Sequence, residues 1–423
     1  MSKKSLLSLA AAVIICSVLP AEGQSRIQLP EGDGKQTVET VCATCHTLDR
    51  VVDAGLNRDG WQFVIKIMLN NGAPLSEDQI PVVVDYLAKN YPEKPKPPAA
   101  VIAGSVQATI KEWTLPTPNS GPHDPLVAPD GSVWYTGQVS NLLGRFDPKT
   151  GQFKEYHLKT PDSGPHGLVA DKDGNIWFTA NFGGYVGKLD PKNGEVVEYY
   201  MPDPTAKDPH TPIFDPNGTL WFTIQGANMI GRILPKTGEV KLLRVPTPRA
   251  QPYGMVVNSK GIPFFCEFNT NKLARIDPST LEIREYVLPN PDSRPRRIAI
   301  TSDDVIWYGD FARGYLGRFD TKTGKGSEWP SPGGPRSEPY GINVVNDVVW
   351  YSESGVKPNT VVRFDPKREK FQTWIIPSGG GVVRNMVHGP DGNLWLACSG
   401  VNGIAEVELN NDGASTDGAK KGQ

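Results

Sequence analysis

Pro165-His-Gly-Leu-Val-Ala-Asp-Lys-Asp-Gly174-Asn-Ile-Trp177-Phe-Thr179 is the stretch on which the fold of this chain turns. Two short apolar runs, Leu168-Val-Ala and Ile176-Trp-Phe, flank an Asp-Gly pair, which reads as two antiparallel strands joined by a turn. The Trp recurs. Trp134, Trp177, Trp221, Phe264, Trp307, Trp350 and Trp395 follow one another at intervals of 43, 44, 43, 43, 43 and 45. After each comes a strand end such as Gly144-Arg-Phe-Asp-Pro148, a turn such as Lys149-Thr-Gly151, and a further strand such as Glu195-Val-Val-Glu-Tyr-Tyr200. Four short strands in such a period make one β-propeller blade, and seven copies make a closed ring. The Gly, Pro and Thr content excludes a solenoid of helix pairs.

Ring closure is also legible. Ile110-Lys-Glu-Trp-Thr-Leu115 matches the outermost strand of each blade, as in Phe153-Lys-Glu-Tyr-His-Leu158, yet it precedes the first innermost strand. The final repeat stops after its third strand, near Leu409. Residues 110–115 are therefore expected to complete the last blade, placing the seven-bladed all-β propeller at residues 108–410. Residues 411–423 read as a disordered tail.

The innermost strands carry a chemical pattern. Eleven residues before the repeat aromatic, or ten in the sixth repeat, stand His123, His166, His210, Tyr253, Arg296, Tyr340 and Arg384, and in the first six repeats each follows Pro. This position opens the innermost strand. Residues three or four beyond the aromatic return to the same mouth, among them Gln138, Asn181, Gln225, Glu267, Asp310, Glu353 and Cys398. Each alone reads as a solvated rim residue; together they predict a polar funnel that binds a ligand, holds a metal or does acid-base chemistry. His157 and His388 lie off this register and are expected at strand ends.

The N-terminal part is different. Residues 1–23 read as a secretory signal peptide, with Lys3 and Lys4, an apolar run from Leu6 to Leu19 and a small-residue site ending Ala21-Glu22-Gly23. The run is short for a membrane span, so no transmembrane anchor is expected. The chain should be exported, to the periplasm. Cys42-Ala-Thr-Cys45-His46 follows, in the order that covalent haem c attachment requires: Cys42 and Cys45 for the vinyl groups, His46 for the iron. A zinc site would need four ligands, and a redox dithiol a βαβ context; neither is present.

Residues 24–91 are expected to form a small all-α class I cytochrome c domain, with haem supplying core that so short a segment lacks. Trp61, Val64, Ile65 and Met68 mark one helical face. Val82, Val83, Tyr86 and Leu87 mark a second, opened by a Ser76–Gln79 capping box. Met68 is the expected sixth iron ligand, being the one Met between the signal peptide and Met201. Residues 92–107, rich in Pro, read as a semi-rigid linker.

Beyond the signal segment, which holds Cys16, cysteine usage leaves Cys266 and Cys398 outside the haem motif, which does not indicate a disulfide scaffold. A formal net charge of −2 gives no case for nucleic acid.

Two resemblances extend this reading. Residues 42–91 resemble single-haem c-type cytochrome domains, through Cys-x-x-Cys-His, Trp61 with Met68, Gly72 and Ala73, and Asp85-Tyr-Leu-Ala88. Some 300 residues of the repeat region resemble the virginiamycin B lyase family, through residues 165–179, Ala227-Asn-Met-Ile-Gly-Arg232 and linkers such as Leu288-Pro-Asn-Pro-Asp292. That resemblance implies a metal-dependent C–O lyase using Mg2+, a His base and nearby carboxylates. In the family's blade order, however, Tyr340, Val382, Arg384 and Ser399 stand where His, Glu, His and Glu belong. A shifted frame offers His166, Asp208 and His210 as catalytic candidates, with Gln225 replacing the second Glu.

The leading expectation is an exported c-type cytochrome whose propeller binds a periplasmic redox partner or a small polar substrate. The alternatives are a lyase with a tethered cytochrome and a non-catalytic scaffold. Whether the chain is an enzyme, and its oligomeric state, stay open at this point.

Overall fold

The computed structural model describes residues 27–44, 48–70 and 73–410. Residues 1–23, Cys45, His46, Gly72 and 411–423 lie outside the described residues. The chain divides into two compact units, residues 1–94 and 95–423.

The first unit is helical: α1 Lys35–Val41, a single 3-10 turn Cys42–Thr44, α2 Asp49–Ala54, α3 Arg58–Asn70 and α4 Gln79–Asn90. Asn57 Oδ1 accepts from the Gly60 amide at 2.8 Å and so caps α3. Gln79 Oε1 accepts from the Ser76 amide at 3.1 Å, the side-chain half of the expected capping box. Pro81 sits in the first turn of α4, where a missing N–H removes no helical bond.

Trp61 and Ile65 of α3 are buried with Val83, Tyr86 and Leu87 of α4, and the Trp61 indole donates to Tyr91 O at 2.9 Å. Val64 and Met68 on the same face of α3 are half-buried. Val82 departs from expectation: it is exposed, and Val84 takes the inward place, because α4 turns its 83–84–87 stripe to the core.

The second unit is seven four-stranded antiparallel sheets. Six are sequence-continuous, over 122–157, 165–200, 209–244, 252–287, 295–330 and 339–375. The seventh takes Val383–His388, Leu394–Cys398 and Gly403–Asn410, and its fourth strand is Gln107–Thr114 from the opposite end of the domain. Gln107 pairs with Asn410 and Thr114 with Gly403, and Trp113 stacks on Trp395 at 5.5 Å. This is the predicted closure, begun three residues earlier than the motif suggested.

Each repeat aromatic lies in a second strand and is almost fully buried. Trp134 packs against Leu168, Ile176 and Phe178 of the next blade, so the repeat residue is inter-blade core. The Gly of the Gly-Arg-Phe-Asp-Pro motif is set by the same packing. At Gly144, Gly187, Gly231 and Gly317 an added Cβ would lie 1.9–2.2 Å from the ring of Tyr135, Phe178, Phe222 or Tyr308.

The segment expected to be a linker is partly tied down within this second unit. Lys357 N donates to Pro97 O at 2.9 Å, and Ile102 exchanges bonds with Thr373. Residues 96–106 thus lie along the sixth blade. Pro97 and Pro98 keep this from becoming a full edge strand, since neither has an N–H to give.

Candidate functional site

The axial residues owe their position to a bulge. In every blade the pairing of first and second strands shifts by one residue just after the strand begins, as between Pro165 and Leu168. The shift frees one amide, and in five of the blades a hydroxyl or thiol takes it. The Gly167 amide donates to Thr179 Oγ1 at 2.9 Å, and Thr179 in turn donates to His210 O of the next blade. Thr136, Thr223 and Ser352 do the same, with Cys266 Sγ in the fourth blade. In the first four blades the bulge is thereby tied to the neighbouring axial residue, and in the sixth to Val383, one place before Arg384. The signal in the sequence was the small polar residue two places after the aromatic.

The axial side chains meet one another. His123 and His166 stack at 3.6 Å between ring centroids, His166 and His210 at 3.7 Å, and His210 and Tyr253 at 4.0 Å. The Tyr253 and Tyr340 hydroxyls are 2.6 Å apart, and the Arg296 guanidinium lies 3.7 Å from the Tyr340 ring. Phe311 and Phe268 also face Arg296, completing an aromatic cage. The three imidazoles and two phenols are almost fully buried. The expected funnel mouth is therefore a packed layer across the channel.

Burial governs its electrostatics. Desolvation, with the positive fields of Arg384, Arg297 and Arg296, holds His123 well below the usual imidazole range. His166 and His210 are lowered by burial and by their imidazole and arginine neighbours. Burial alone would raise the Tyr340 phenol, but Arg296, Arg384 and Arg297 outweigh it and bring the group to about 8.

The returning carboxylates do other work. Glu353 accepts from Ser331 Oγ, the Gly333 amide and Thr360 Oγ1 at 2.6, 2.6 and 2.7 Å, which bolts a loop to its blade. Asp310 accepts from the Arg294 amide and pairs with Arg313 at 2.9 Å. Glu267 accepts from Thr270 Oγ1, and burial followed by the Glu285 charge pushes it up to about 7. Asp208 is buried, accepts an amide N–H of Asn181 and is raised to about 7 by desolvation. Arg384 is half-buried and enters through its field on His123 and Tyr340. Cys398 is buried in the core between blades, and His157 and His388 end their strands.

Three residues that belong to the site were not singled out from the chain: Asp124, Arg297 and Asn385, each one place after an axial residue. Asp124 Oδ1 receives His123 Nδ1 at 2.9 Å and Arg297 Nη2 at 2.7 Å, and Asp124 Oδ2 accepts from Asn385 Nδ2 at 3.0 Å. The signal was an alternation at that position. It holds Asp124, Thr211, Arg297 and Asn385 in odd blades and Gly167, Gly254 and Gly341 in even ones. A Cβ at Gly167 would lie 2.2 Å from Pro212 Cδ, so even blades must stay small for odd ones to reach the axis.

His123, Asp124 and His166 bring possible ligand atoms within 4.8 Å of one another. Two imidazoles and one carboxylate do not suit Mg2+, which prefers oxygen donors, and the carboxylate is already committed to Arg297 and Asn385. The donor set therefore does not fit the Mg2+ that the lyase resemblance implies. Beneath the packed layer lies a cavity of about 380 Å³, running along the inner strands from Asp124 and Arg297 to Asn343 and His388.

A family model for the virginiamycin B lyases matches residues 99–353, more than half of the chain. The chain belongs to the virginiamycin B lyase family. The match ends within the sixth blade, so that of the seventh it takes in only the closing strand Gln107–Thr114. Virginiamycin B lyase from Staphylococcus aureus is similar in structure, with a TM-score of 0.66 and 27% identity, covering 72% of this chain and 100% of that one. A streptogramin B lyase gives 0.66 and 28%, covering 72% and 98%. Hydrazine synthase from Kuenenia stuttgartiensis, at 15% identity and a TM-score of 0.58 over 70% of this chain and 98% of that one, shares the fold alone. Among curated proteins none matches in sequence.

Proposed function

We propose that this family member is an exported, periplasmic c-type cytochrome that passes electrons through one covalent haem, with its propeller serving to bind a substrate or redox partner. The observation that carries the reading is Cys42-Ala-Thr-Cys45-His46. The helical unit suits such a group. Cys42 opens the 3-10 turn directly after α1 and packs against the core, as do the half-buried Val52, Leu56, Val64, Leu69 and Leu75. An apolar set so incompletely covered in so small a unit is what a porphyrin would bury.

Cys42 and Cys45 would hold the haem, and His46 with Met68 would ligate its iron; the group would supply reversible one-electron transfer. The protein's own share is to orient the ring and keep water from it, through α3 and α4 packed around Trp61. A reduced-minus-oxidised visible spectrum of protein made in a host that assembles haem c should show the haem c band. Its absence overturns the reading. With haem in place, Met68→Ala should abolish the thioether-to-iron band while leaving covalent attachment intact.

Family membership favours a second reading, a metal-dependent lyase acting through His166, Asp208 and His210. Those positions are buried, the two imidazoles are stacked on each other, and Gln225 stands where a second carboxylate is needed. Intact streptogramin B after incubation with the protein and magnesium would set this reading aside. Loss of partner capture in redox pull-downs on removing Arg296 would separate a recognition role from a mere scaffold.

A further inference from the structure

We propose that the axial cavity binds a small organic carboxylate, with its anionic end toward Arg297 and its apolar body along the inner strands. This rests on the reading of the propeller as a binding domain. The cavity holds about 380 Å³, within the size range of small-molecule sites. Leu168, Met255, Ile298, Ile342 and Met386 form apolar walls, with Asp124, Arg297 and Asn385 at the end beneath the packed layer and Asn343 and His388 at the other.

Charge decides the class of ligand. Arg296, Arg297 and Arg384 all act on His123; of the three Arg297 lines the cavity, and Asp124 is the one carboxylate in its lining. The three axial imidazoles are buried and stay neutral. Counted alike, three guanidiniums stand about the axis against Asp124 and the Glu338 carboxyl that acts on Arg296, a positive excess that disfavours a cation at His123, Asp124 and His166 and favours an anion.

Arg297 is the anchor. It is 4% exposed, it lines the cavity, and its Nε has no hydrogen-bond partner. A buried guanidinium N–H without a partner is costly, and a ligand carboxylate oxygen is a charged acceptor that would satisfy it. Asp124 does not compete for the ligand's place, because His123, Arg297 and Asn385 already occupy its oxygens. Entry is from the far end of the inner strands, where His388 is exposed and bonded to Asn343 Oδ1.

The test is isothermal titration of the full-length, haem-loaded protein with hexanoate and benzoate, and with hexanamide and benzamide as neutral counterparts. The acids should bind at least tenfold more tightly than the amides. Arg297→Gln should abolish the difference. Because that change strands Asp124 and can unfold the ring, His388→Trp at the open end is the second variant, expected to weaken acid binding tenfold with unfolding unaltered. No heat from the acids at millimolar concentration, equal binding of amides, or acid binding unchanged in both variants would each overturn the proposal. The haem spectrum is indifferent to all of these outcomes, so failure here is distinct from failure of the cytochrome reading.

Discussion

Arg297 of the fifth blade reaches Asp124 of the first, Nη2 to Oδ1 at 2.7 Å, with side chains only 4% and 5% exposed. Two blades far apart in the chain are thus joined at the axis, inside the ring that Gln107–Thr114 closes at the rim. A buried pair of this kind is costly to form and more costly to break, because removing one partner leaves a bare charge in a medium that cannot solvate it.

Asp124→Ala should therefore destabilise the propeller by about 3–5 kcal/mol, and the double variant Asp124→Leu with Arg297→Met by clearly less. Urea unfolding followed by Trp fluorescence measures both. Equal losses would show that packing, and not the stranded charge, dominates.

The Tyr253–Tyr340 pair should lose its first proton early. Tyr340 falls from the ordinary 10.0 to about 8, whereas burial holds Tyr253 above the phenol range. A lowered acid contributes stability that is fully present above its unfolded value and is lost as pH falls through the folded one. The window is thus pH 10 down to about 8. Ultraviolet titration should show one phenolate forming near pH 8 in the wild type and none there in Tyr340→Phe.

Asp208 has the opposite sign. Its folded value, about 7 against the usual 3.8, means that its contribution is present below pH 3.8 and lost as pH rises through 7. Asn keeps an acceptor for Asn181 and carries no charge. Asp208→Asn should accordingly be about 2–4 kcal/mol more stable than wild type at pH 8, with the advantage gone below pH 4. Denaturation at the two pH values decides it.

Gly231→Ala should cost about 1–3 kcal/mol, since the new methyl falls 2.0 Å from Phe222 Cζ in a close-packed blade. Thermal unfolding reads the loss. Substitution at Gly151, whose Cβ would meet nothing, should cost less and act only through its φ of 71°.

Much of the architecture was open to inspection in the chain. A hydrophobic repeat of fixed period has few ways to bury itself, so Trp134 to Trp395 announced seven blades, and the orphan strand around Trp113 announced the closure. Val82 was misplaced because adjacent apolar residues on a short helix allow two facings, and only packing against Trp61 and Ile65 selects one. Residues 92–107 show a related limit: Pro-rich composition describes backbone stiffness, not whether a blade edge lies beside it.

The site divides along the same line. Residue type and spacing alone placed His123, His166, His210, Tyr253, Arg296 and Tyr340 at one level of the axis, because register in a repeat is a local property of each strand. Whether that level is an open funnel or a packed layer depends on distances between side chains from different blades, which no single repeat encodes. Only the closed ring brought Asp124 to Arg297, turned Glu353 and Asp310 toward loops, and left the free volume beneath the imidazoles, since contacts across the axis exist only once all seven blades surround it.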